Sequence, residues 1–330
     1  MQFRPFTFLT AAILFAGSMI PVRLAAQNTN SGIVTFDAPG AGTTSNFGTF
    51  PRSINDSGAV TGHYTDANRV NHGFLRTPHG NIITFNIPGA GTAAGSGFGT
   101  FPESINDAGT ITGHYTDAEN VWHGFLRTPR GDIITFDAPS GHTAANSLSG
   151  TFPDSINDAG TITGYFGGTP MSHGFIRTVG GRFITFDVPG ASSLPGDGTF
   201  PRAINRRGAI VGNYSDASKE VNGGFLRSPG GTFTTFQAPG ADTTEGSGNG
   251  TFPVSINDAG AITGRYVDGN IVYHGFVRSP GGEFIAFDAP GASSALDDGT
   301  FPLSINDKGA IVGNYSAADK EASRGFLRNP

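Results

Sequence analysis

One stretch of this sequence recurs six times and constrains the fold more than any other feature. Its first copy reads Gly48-Thr49-Phe50-Pro51-Arg52-Ser53-Ile54-Asn55-Asp56-Ser57-Gly58. The Asn of this motif returns at intervals of 48 to 52 residues, at Asn106, Asn157, Asn205, Asn257 and Asn306. Self-similarity with a period of about fifty residues is typical of solenoids, propellers and related arrays. We number the repeats 1 to 6 after these asparagines.

Each repeat contains four short apolar or alternating segments separated by turn residues. In repeat 2 the segments are Phe101–Ile105, Thr110–Tyr115, His123–Arg127 and Ile133–Phe136. The residues that join the first pair and the last pair, such as Asn106-Asp107-Ala108-Gly109, have the composition of tight hairpin turns. The chain also contains 28 Phe and 51 Gly, which suits many short strands and turns. The sequence therefore predicts four antiparallel strands per repeat, which is the composition of a β-propeller blade.

The repeat region begins and ends within a repeat, and the part missing at one end is present at the other. Residues 33–39 match a fourth strand that has no first three, and residues 325–330 match a third strand that has no fourth. If the N-terminal strand completes the last blade, no sheet edge remains exposed. We therefore predict an all-β fold, a six-bladed β-propeller with four antiparallel strands per blade, closed by the N-terminal strand. An open β-solenoid is the alternative.

The first 26 residues have the pattern of a secretory signal peptide. Arg4 supplies the positive start, residues 6–20 are apolar, and Leu24-Ala25-Ala26 forms a small-residue cleavage site. The apolar run is about 15 residues, shorter than the roughly 20 that span a bilayer, so no membrane insertion is expected after cleavage. The predicted organisation is a signal peptide (1–26), a short tail (27–32) and a propeller (33–330). We expect a secreted protein, either extracellular or periplasmic.

Composition excludes several kinds of site. The chain has no cysteine, which excludes disulfides, thiol nucleophiles and cysteine-based metal sites. Its formal net charge is −6, whereas a nucleic-acid partner calls for a basic surface. No Ser/His/Asp order, phosphate-binding loop or paired-carboxylate motif is present. The sequence thus predicts no catalytic residue, no metal site, no cofactor and no nucleic-acid partner.

Three recurring motifs, Ser-Ile-Asn-Asp-x-Gly, Thr-Gly-x-Tyr and His-Gly-Phe-Leu-Arg, resemble the HAF-repeat family of secreted bacterial proteins. The resemblance covers residues 33–330, once per repeat, with Gly in place of the family's Ala in the His-Ala-Phe triplet. It implies a secreted, propeller-like β-repeat protein. It implies no established activity that could be assigned to particular residues.

The recurring polar residues are predicted to be structural. The asparagine of each motif should bond the backbone two residues on within its turn. The histidines of the third strands should pack between blades and bond a neighbouring backbone group; they are His72, His123, His173 and His274. The arginine that ends each third strand should bond backbone carbonyls or a neighbouring Asp.

Functional residues are expected where the repeats differ. The residue after each Phe-Pro varies through Arg52, Glu103, Asp154, Arg202, Val254 and Leu303. Because the first strand of a blade is the innermost one, these four charges should rim the mouth of a central channel. The loops between second and third strands also vary, and they should add Trp122 and Tyr273 to the same face. The predicted binding residues are therefore Arg52, Glu103, Asp154, Arg202, Trp122 and Tyr273.

These features favour a secreted binding or interaction module whose ligand is a small molecule, a glycan or a protein. A carbohydrate or cell-envelope ligand fits best, because exposed aromatic side chains beside acidic and amide groups suit sugar rings. One alternative is a propeller enzyme of the lyase or glycoside hydrolase type, with Glu103 and Asp154 at the channel mouth between Arg52 and Arg202. Another is a purely structural surface protein. Whether the protein is an enzyme stays open at this point.

Overall fold

The computed structural model describes residues 34–44, 47–139, 150–167, 170–318 and 323–330. The predicted signal peptide, the tail 27–32 and Ile33 lie outside these ranges. The chain divides into two units, Met1–Phe36 and Asp37–Pro330. Residues 34–36, the described part of the first unit, have no regular secondary structure. Within the described ranges, no helix is long and apolar enough to cross a membrane.

The described residues of the second unit form 23 β-strands. Repeats 1 to 5 contribute four strands each and repeat 6 contributes three. In chain order the strands are β1 (Gly48–Ile54), β2 (Val60–Thr65), β3 (Asn71–Arg76), β4 (Ile82–Phe85), β5 (Gly99–Ile105), β6 (Ile111–Thr116), β7 (Trp122–Arg127), β8 (Ile133–Phe136), β9 (Thr151–Ile156), β10 (Ile162–Gly167), β11 (Ser172–Arg177), β12 (Phe183–Phe186), β13 (Thr199–Ile204), β14 (Ile210–Asp216), β15 (Val221–Arg227), β16 (Phe233–Phe236), β17 (Thr251–Ile256), β18 (Ile262–Val267), β19 (Tyr273–Arg278), β20 (Phe284–Phe287), β21 (Thr300–Ile305), β22 (Ile311–Ser316) and β23 (Ser323–Arg328).

Each strand pairs antiparallel with the next strand of its own repeat. Neighbouring repeats touch through a parallel bridge from the start of a third strand to the start of the next first strand. This bridge joins Asn71 to Gly99 and thereby links β1–β8 into one eight-stranded sheet. Equivalent bridges join Trp122 to Gly150, Ser172 to Gly198, Asn222 to Gly250 and Tyr273 to Gly299. The predicted all-β fold with repeated four-stranded antiparallel sheets is confirmed.

The hydrophobic core lies between consecutive repeats rather than within one sheet. The Phe of each His-Gly-Phe motif has no exposed surface in repeats 1 to 5: Phe74, Phe125, Phe175, Phe225 and Phe276. Between repeats 1 and 2, for example, Phe125 and Ile111 pack with Ile87 of the preceding repeat. Each side chain of this size contributes about 1.5–3 kcal/mol when fully buried. The repeats therefore stabilise one another across their junctions.

The recurring arginines bridge repeats through aromatic rings. The guanidinium carbon of Arg127 lies 4.9 Å from the centre of Phe85, in the fourth strand of the preceding repeat. Arg177, Arg227, Arg278 and Arg328 contact Phe136, Phe186, Phe236 and Phe287 in the same way, at 4.5–5.1 Å. Bonds to a carbonyl are present but long, as between Arg127 and the Thr128 carbonyl at 3.5 Å. The predicted structural role is correct, and its main contact is a cation–π interaction.

The recurring asparagines hold their own turn and also reach the next repeat. The Asn157 Oδ1 atom accepts a hydrogen bond from the Thr161 amide at 3.0 Å, and its Nδ2 atom donates to the Asn205 carbonyl at 3.0 Å. The same bond to the next asparagine carbonyl is made by Asn55, Asn106, Asn205 and Asn257. Of the six recurring asparagines, all within the described residues, only Asn306 makes the predicted bond to the backbone two residues on, where its Oδ1 atom accepts from the Lys308 amide. In the other five repeats the asparagine Oδ1 atom accepts from the amide four residues on, as Asn157 does from Thr161. The predicted role in the turn is present, but the predicted partner was wrong.

The third-strand histidines bond side chains rather than the backbone. The His123 Nδ1 atom lies 3.0 Å from Asp137 Oδ1, and its Nε2 atom lies 3.2 Å from Asp117 Oδ2. Hydrogen bonding to Asp137 raises the pKa of His123. His72, His173 and His274 bond Asn86, Asp187 and Asp288 in the same manner. The expectation of a backbone partner was wrong, because the residue that follows each fourth strand supplies a closer polar group.

The first and last repeats leave exposed the positions that other repeats bury. Ile54 is 66 % exposed, whereas its counterpart Ile105 is 5 % exposed. Val312 is 48 % exposed, whereas its counterpart Val211 is fully buried. The sheet of repeat 6 has three strands in the described residues, and residues 34–38 of the predicted closing segment are not in a strand. The two ends of the array are therefore its least covered parts.

Candidate functional site

The variable residue after each Phe-Pro lies at a β-bulge. In repeat 2, Pro102 pairs with Gly113 and Ser104 pairs with Thr112, so Glu103 has no partner on the second strand. The first strand of every repeat in the described residues has the same break. A bulge bends its strand and re-aims the extra side chain. The bulged residues are Arg52, Glu103, Asp154, Arg202, Val254 and Leu303.

Four of these side chains lie side by side in repeat order. Arg52 Nε is 3.8 Å from Glu103 Oε2, and Arg202 Nη1 is 3.6 Å from Asp154 Oδ2. Both distances exceed that of a hydrogen bond. Asp154 Oδ2 is buried and has no hydrogen-bond partner among the described residues. The structure thus gathers four of the predicted binding residues into one charged row, which we call the bulge row: Arg52, Glu103, Asp154 and Arg202.

Burial sets the ionisation of the two carboxyl groups in the bulge row. Their side chains are 20 % and 19 % exposed. Burial raises the pKa of Glu103 to about 7, with Asp154 adding to the shift and Arg52 and Arg202 opposing it. Burial also raises the pKa of Asp154 to about 6, against the effect of Arg202. Near neutral pH the Glu103 carboxyl can therefore both donate and accept a hydrogen bond.

An aromatic layer accompanies the bulge row. It is formed by the Phe of each Phe-Pro and by the second-strand residue that follows Thr-Gly or Val-Gly. Phe50 stacks on His63 with ring centres 5.1 Å apart, and Phe101 stacks on His114 at 5.2 Å. In repeats 3 to 5 the layer continues through Phe152, Tyr165, Phe200, Phe252 and Arg265. We call this set the aromatic layer.

The two histidines of the aromatic layer are neutral at ordinary pH. Burial lowers the pKa of His63 to about 4, and Arg52 adds to the shift. Burial lowers the pKa of His114 to about 3, with smaller effects from His63 and Arg52. The Nδ1 atoms of both rings are buried and have no hydrogen-bond partner among the described residues. Each ring thus has an unused polar atom beside the charged row.

Trp122 and Tyr273 belong to this layer, although they do not lie in loops as predicted. They are the first residues of β7 and β19, where the parallel bridge to the next repeat fixes the backbone. Trp122 lies 5.1 Å from His114 and 5.5 Å from Phe152, and Tyr273 lies 4.9 Å from Phe301. Both are partly buried. The loop assignment was wrong because the third strand extends one residue further than its motif.

Sequence reasoning missed the second-strand members of the layer. The residue after the conserved-looking Thr-Gly or Val-Gly is His63, His114, Tyr165, Asn213, Arg265 or Asn314. This position changes between repeats as freely as the bulge position does. The second-strand members could therefore have been predicted from the sequence, since the residue after Thr-Gly or Val-Gly varies within a recurring motif just as the residue after Phe-Pro does.

The opposite end of the first strands carries a separate charged cluster. The six Asn-Asp turns line one cavity of about 360 Å³. Repeat 4 has Arg206 where the others have Asp, and its turn persists, since Ala209 still donates to Asn205 Oδ1 at 2.9 Å. Arg206 Nε lies 2.8 Å from Asp158 Oδ2 and 3.4 Å from Asp258 Oδ2. The guanidinium thus sits among the turn carboxylates as their counter-charge.

Within the described ranges, no group of three or more His, Asp or Glu side chains is arranged to hold a metal ion.

Comparisons with known proteins concern the fold. A scan against protein-family models finds no match, and a search of curated proteins finds none either. Among solved structures, a triple arginine-to-alanine variant of AofleA from Arthrobotrys oligospora matches with a TM-score of 0.50 and 14% identity, over 84% of this chain and 82% of that chain. A streptogramin B lyase matches with a TM-score of 0.48 and 13% identity, over 88% and 87%.

An Aleuria aurantia lectin variant in complex with Fucα1-6GlcNAc matches with a TM-score of 0.44 and 10% identity, over 84% of this chain and 91% of that chain. The structural neighbours are propeller proteins, and the repeated sheets of this chain are propeller-like. At these identities the likeness concerns the architecture alone.

Proposed function

We propose that this protein is a secreted ligand-binding module built as a closed six-bladed β-propeller, with its site at the bulge row and the aromatic layer. In this proposal the signal peptide is removed, and the mature chain works in the extracellular or periplasmic space as a member of the HAF-repeat family. A saccharide is the ligand class that the site suits best.

Two observations support closure by the N-terminal segment. The Ala38 amide donates to Thr49 Oγ1 at 2.8 Å, which is the bond that Ile87, two residues after the end of the fourth strand β4, makes to Thr100. The segment before Ala38 therefore has the phase of a fourth strand. The exposed apolar side chains of the first and last repeats, such as Ile54 and Val312, are the surfaces that closure would cover.

The polar pairs between third and fourth strands support the same closure. Repeats with a histidine on the third strand have Asn or Asp 14 residues later, and repeat 4 has Gly223 with Gln237. Repeat 6 has Arg324, and Asp37, one residue before Ala38, has the same phase in the N-terminal segment as Asn86, one residue before Ile87. Oppositely charged partners fit this position.

A charge-reversal pair tests the closure. Arg324→Asp and Asp37→Arg should each lower the melting temperature, and the double variant should recover part of the loss because the pair is restored in reverse. Additive losses in the double variant would reject this strand as the partner of repeat 6.

One observation carries the ligand-binding role: the bulge places the variable residue of each repeat in the same local geometry. Four bulged charges meet beside aromatic faces, and Asp154 Oδ2 and His63 Nδ1 are buried without hydrogen-bond partners in the described structure. Buried polar atoms without partners cost about 1–3 kcal/mol each. A ligand with hydroxyl groups would satisfy these atoms while its apolar face lies on the rings.

A glycan array with three variants tests this function. Wild-type protein should bind a defined subset of glycans, whereas Trp122→Ala and Glu103→Gln should reduce that binding at least tenfold. Glu283→Gln is the matched control, because Glu283 is exposed in the turn between β19 and β20. Binding that survives both site variants, or no binding at all, would contradict the saccharide proposal.

A second candidate function is acid–base catalysis on a bound saccharide. The observation that favours it is the pair of raised carboxyl pKa values, about 7 for Glu103 and about 6 for Asp154. General acids and bases work best with a pKa near the operating pH. Turnover of an array-positive glycan, lost in Glu103→Gln while binding is retained, would establish an enzyme. Binding without turnover would leave the binding module.

A further inference from the structure

The bulge row ends at a cavity that differs from the rest of the site. This cavity has a volume of about 300 Å³ and is lined by Arg202, Asn213, Phe252, Pro253, Val254 and Arg265. Two of the six lining residues are arginines and none is acidic. In the bulge row each arginine lies beside a carboxylate, Arg52 beside Glu103 and Arg202 beside Asp154, but here two cations face one space.

Arg265 has no anionic partner among the described residues. Its Nε atom is buried and makes no hydrogen bond to a described residue, and its guanidinium group lies against aromatic rings. The guanidinium carbon lies 5.6 Å from the centre of Phe252, 5.7 Å from Tyr273 and 5.9 Å from Phe301. Burial and the nearby charge of Arg202 lower the pKa of Arg265. A partly buried cation beside another cation is an arrangement that a bound anion would relieve.

Arg202 has only part of its charge engaged. Its Nη1 atom is 3.6 Å from Asp154 Oδ2, and its guanidinium carbon lies 5.6 Å from the centre of Tyr165. The side chain remains 40 % exposed. It can therefore turn hydrogen-bond donors toward the cavity while it keeps its contact with Asp154.

Comparison between repeats shows that this arrangement is not part of the scaffold. The third-strand arginines Arg177, Arg227 and Arg278 also have unbonded Nε atoms, but an arginine recurs at this position in every repeat and each of these three lies on a Phe of the preceding repeat. Arg265 occupies a position that is His, Tyr or Asn in the other five repeats. No repeated packing role therefore accounts for it.

We propose that Arg202 and Arg265 form an anion subsite that takes the carboxylate or sulfate group of an acidic ligand. Two guanidinium groups offer planar forks of N–H donors, the geometry that suits a small oxyanion. Phe252 and Val254 line the same cavity and would contact the apolar part of the ligand next to its charge. That the acidic ligand is a saccharide rests on the proposed function. The subsite itself does not, since it would also bind a free oxyanion.

Two arms of one experiment separate the subsite from the saccharide role. In the first arm, sodium sulfate is added at constant ionic strength and the melting temperature is measured against sodium chloride. Sulfate stabilises folded proteins in general, so a rise in melting temperature is expected in every variant. We expect a larger rise in the wild type than in Arg265→Gln, because a site in the folded state adds binding free energy to this general effect. Arg182→Gln is the control, since Arg182 is exposed in the turn between β11 and β12.

In the second arm, trigalacturonate and its methyl ester are titrated calorimetrically. The acid should bind at least tenfold more tightly than the ester, and Arg265→Gln should remove the difference. Arg265→Lys should restore part of it, because the charge returns without the planar fork. If Arg265→Gln fails to fold, Arg202→Gln serves as the second variant, since its side chain is more exposed.

The outcomes are distinct. Equal binding of acid and ester by the wild type would overturn the anion subsite and leave saccharide binding in place. A sulfate effect that depends on Arg265, without binding of either saccharide, would support the subsite and count against the saccharide. A rise in melting temperature with sulfate that is equally large in Arg265→Gln, together with no preference for the acid over the ester, would overturn the inference.

Discussion

Each recurring asparagine from Asn55 to Asn257 donates to the carbonyl of the next one, and we call this series of bonds the asparagine relay. Replacing Asn157 by Ala should measure how strongly the relay stabilises the contact between repeats. The Asn157 side chain is buried and makes two hydrogen bonds, from the Thr161 amide and to the Asn205 carbonyl, both 3.0 Å long. The change removes both bonds and leaves two backbone groups without their partner. At about 1–2 kcal/mol for each, we expect a loss of roughly 2–4 kcal/mol in the free energy of unfolding. That corresponds to a fall of about 3–7 °C in melting temperature for a domain of this size.

Asn157→Asp separates the two bonds. The carboxylate keeps an acceptor for the Thr161 amide, but it has no donor for the Asn205 carbonyl and places a negative charge against it. The loss in the free energy of unfolding of Asn157→Asp should therefore measure the contact between repeats. The difference in that free energy between Asn157→Asp and Asn157→Ala should measure the contact within the turn. Asn81→Ala is the control, because Asn81 is exposed in the turn between β3 and β4.

Urea denaturation followed by circular dichroism gives the required free energies, with the m-value checking that the same surface unfolds in each variant. If Asn157→Ala and Asn157→Asp both lie within about 0.5 kcal/mol of Asn81→Ala, the relay does not stabilise the fold. In that case the asparagines recur for the turn conformation alone, and the cross-repeat bonds are incidental to stability.

Three further expectations follow from the structure. Deleting residues 33–39 should lower the melting temperature by roughly 5–10 °C, because Val312 and Leu327 would lose the strand proposed to cover them, at about 1.5–3 kcal/mol per side chain; an unchanged melting temperature would reject closure by that strand. Arg206→Asp would place a sixth carboxylate among the turn aspartates, so its melting temperature should fall at low salt and recover in high salt. Arg207→Asp, which changes the net charge equally at an exposed neighbour, should show a smaller fall, and equal falls would contradict the counter-charge role. The raised pKa of Glu103 means that the folded state binds this proton more tightly, so stability should decline as pH rises from about 4.5 to about 7. Glu103→Gln should lack that decline, giving greater stability than the wild type at pH 8 and little difference at pH 4 in urea titrations; parallel pH profiles would refute the shift.

Most of the fold is predictable from the sequence because the same pattern of apolar segments and turn residues occurs in all six repeats. The hairpin turns, the strand count per repeat and the antiparallel pairing follow from alternation and glycine placement, as at Asn106-Asp107-Ala108-Gly109. What the pattern could not supply was the bulge, since Phe101-Pro102-Glu103-Ser104 reads as an ordinary strand start. The extra residue becomes visible only when Gly113 and Thr112 pair across it.

The candidate site was predictable in its members but not in its chemistry. The variable letter after Phe-Pro identified Glu103 and Asp154, yet their raised pKa values depend on burial that no local sequence specifies. Arg265 was not identified, because an arginine in a second strand resembles an ordinary solvated side chain. Only the packing of three aromatic rings around it, and the proximity of Arg202, distinguish it.

The two variable positions are the places where a repeat scaffold can change without losing its packing. Buried Phe and Ile side chains contact the neighbouring repeat, as Phe125 and Ile111 contact Ile87, so a change at such a position disturbs a junction between repeats. The bulged residue has no cross-strand partner, and its change leaves the ladder at Pro102 and Ser104 intact. A chain built from nearly identical repeats can therefore specify an asymmetric site only at such positions. The row of Arg52, Glu103, Asp154 and Arg202, with Arg265 next to its end, differs from repeat to repeat at these two positions.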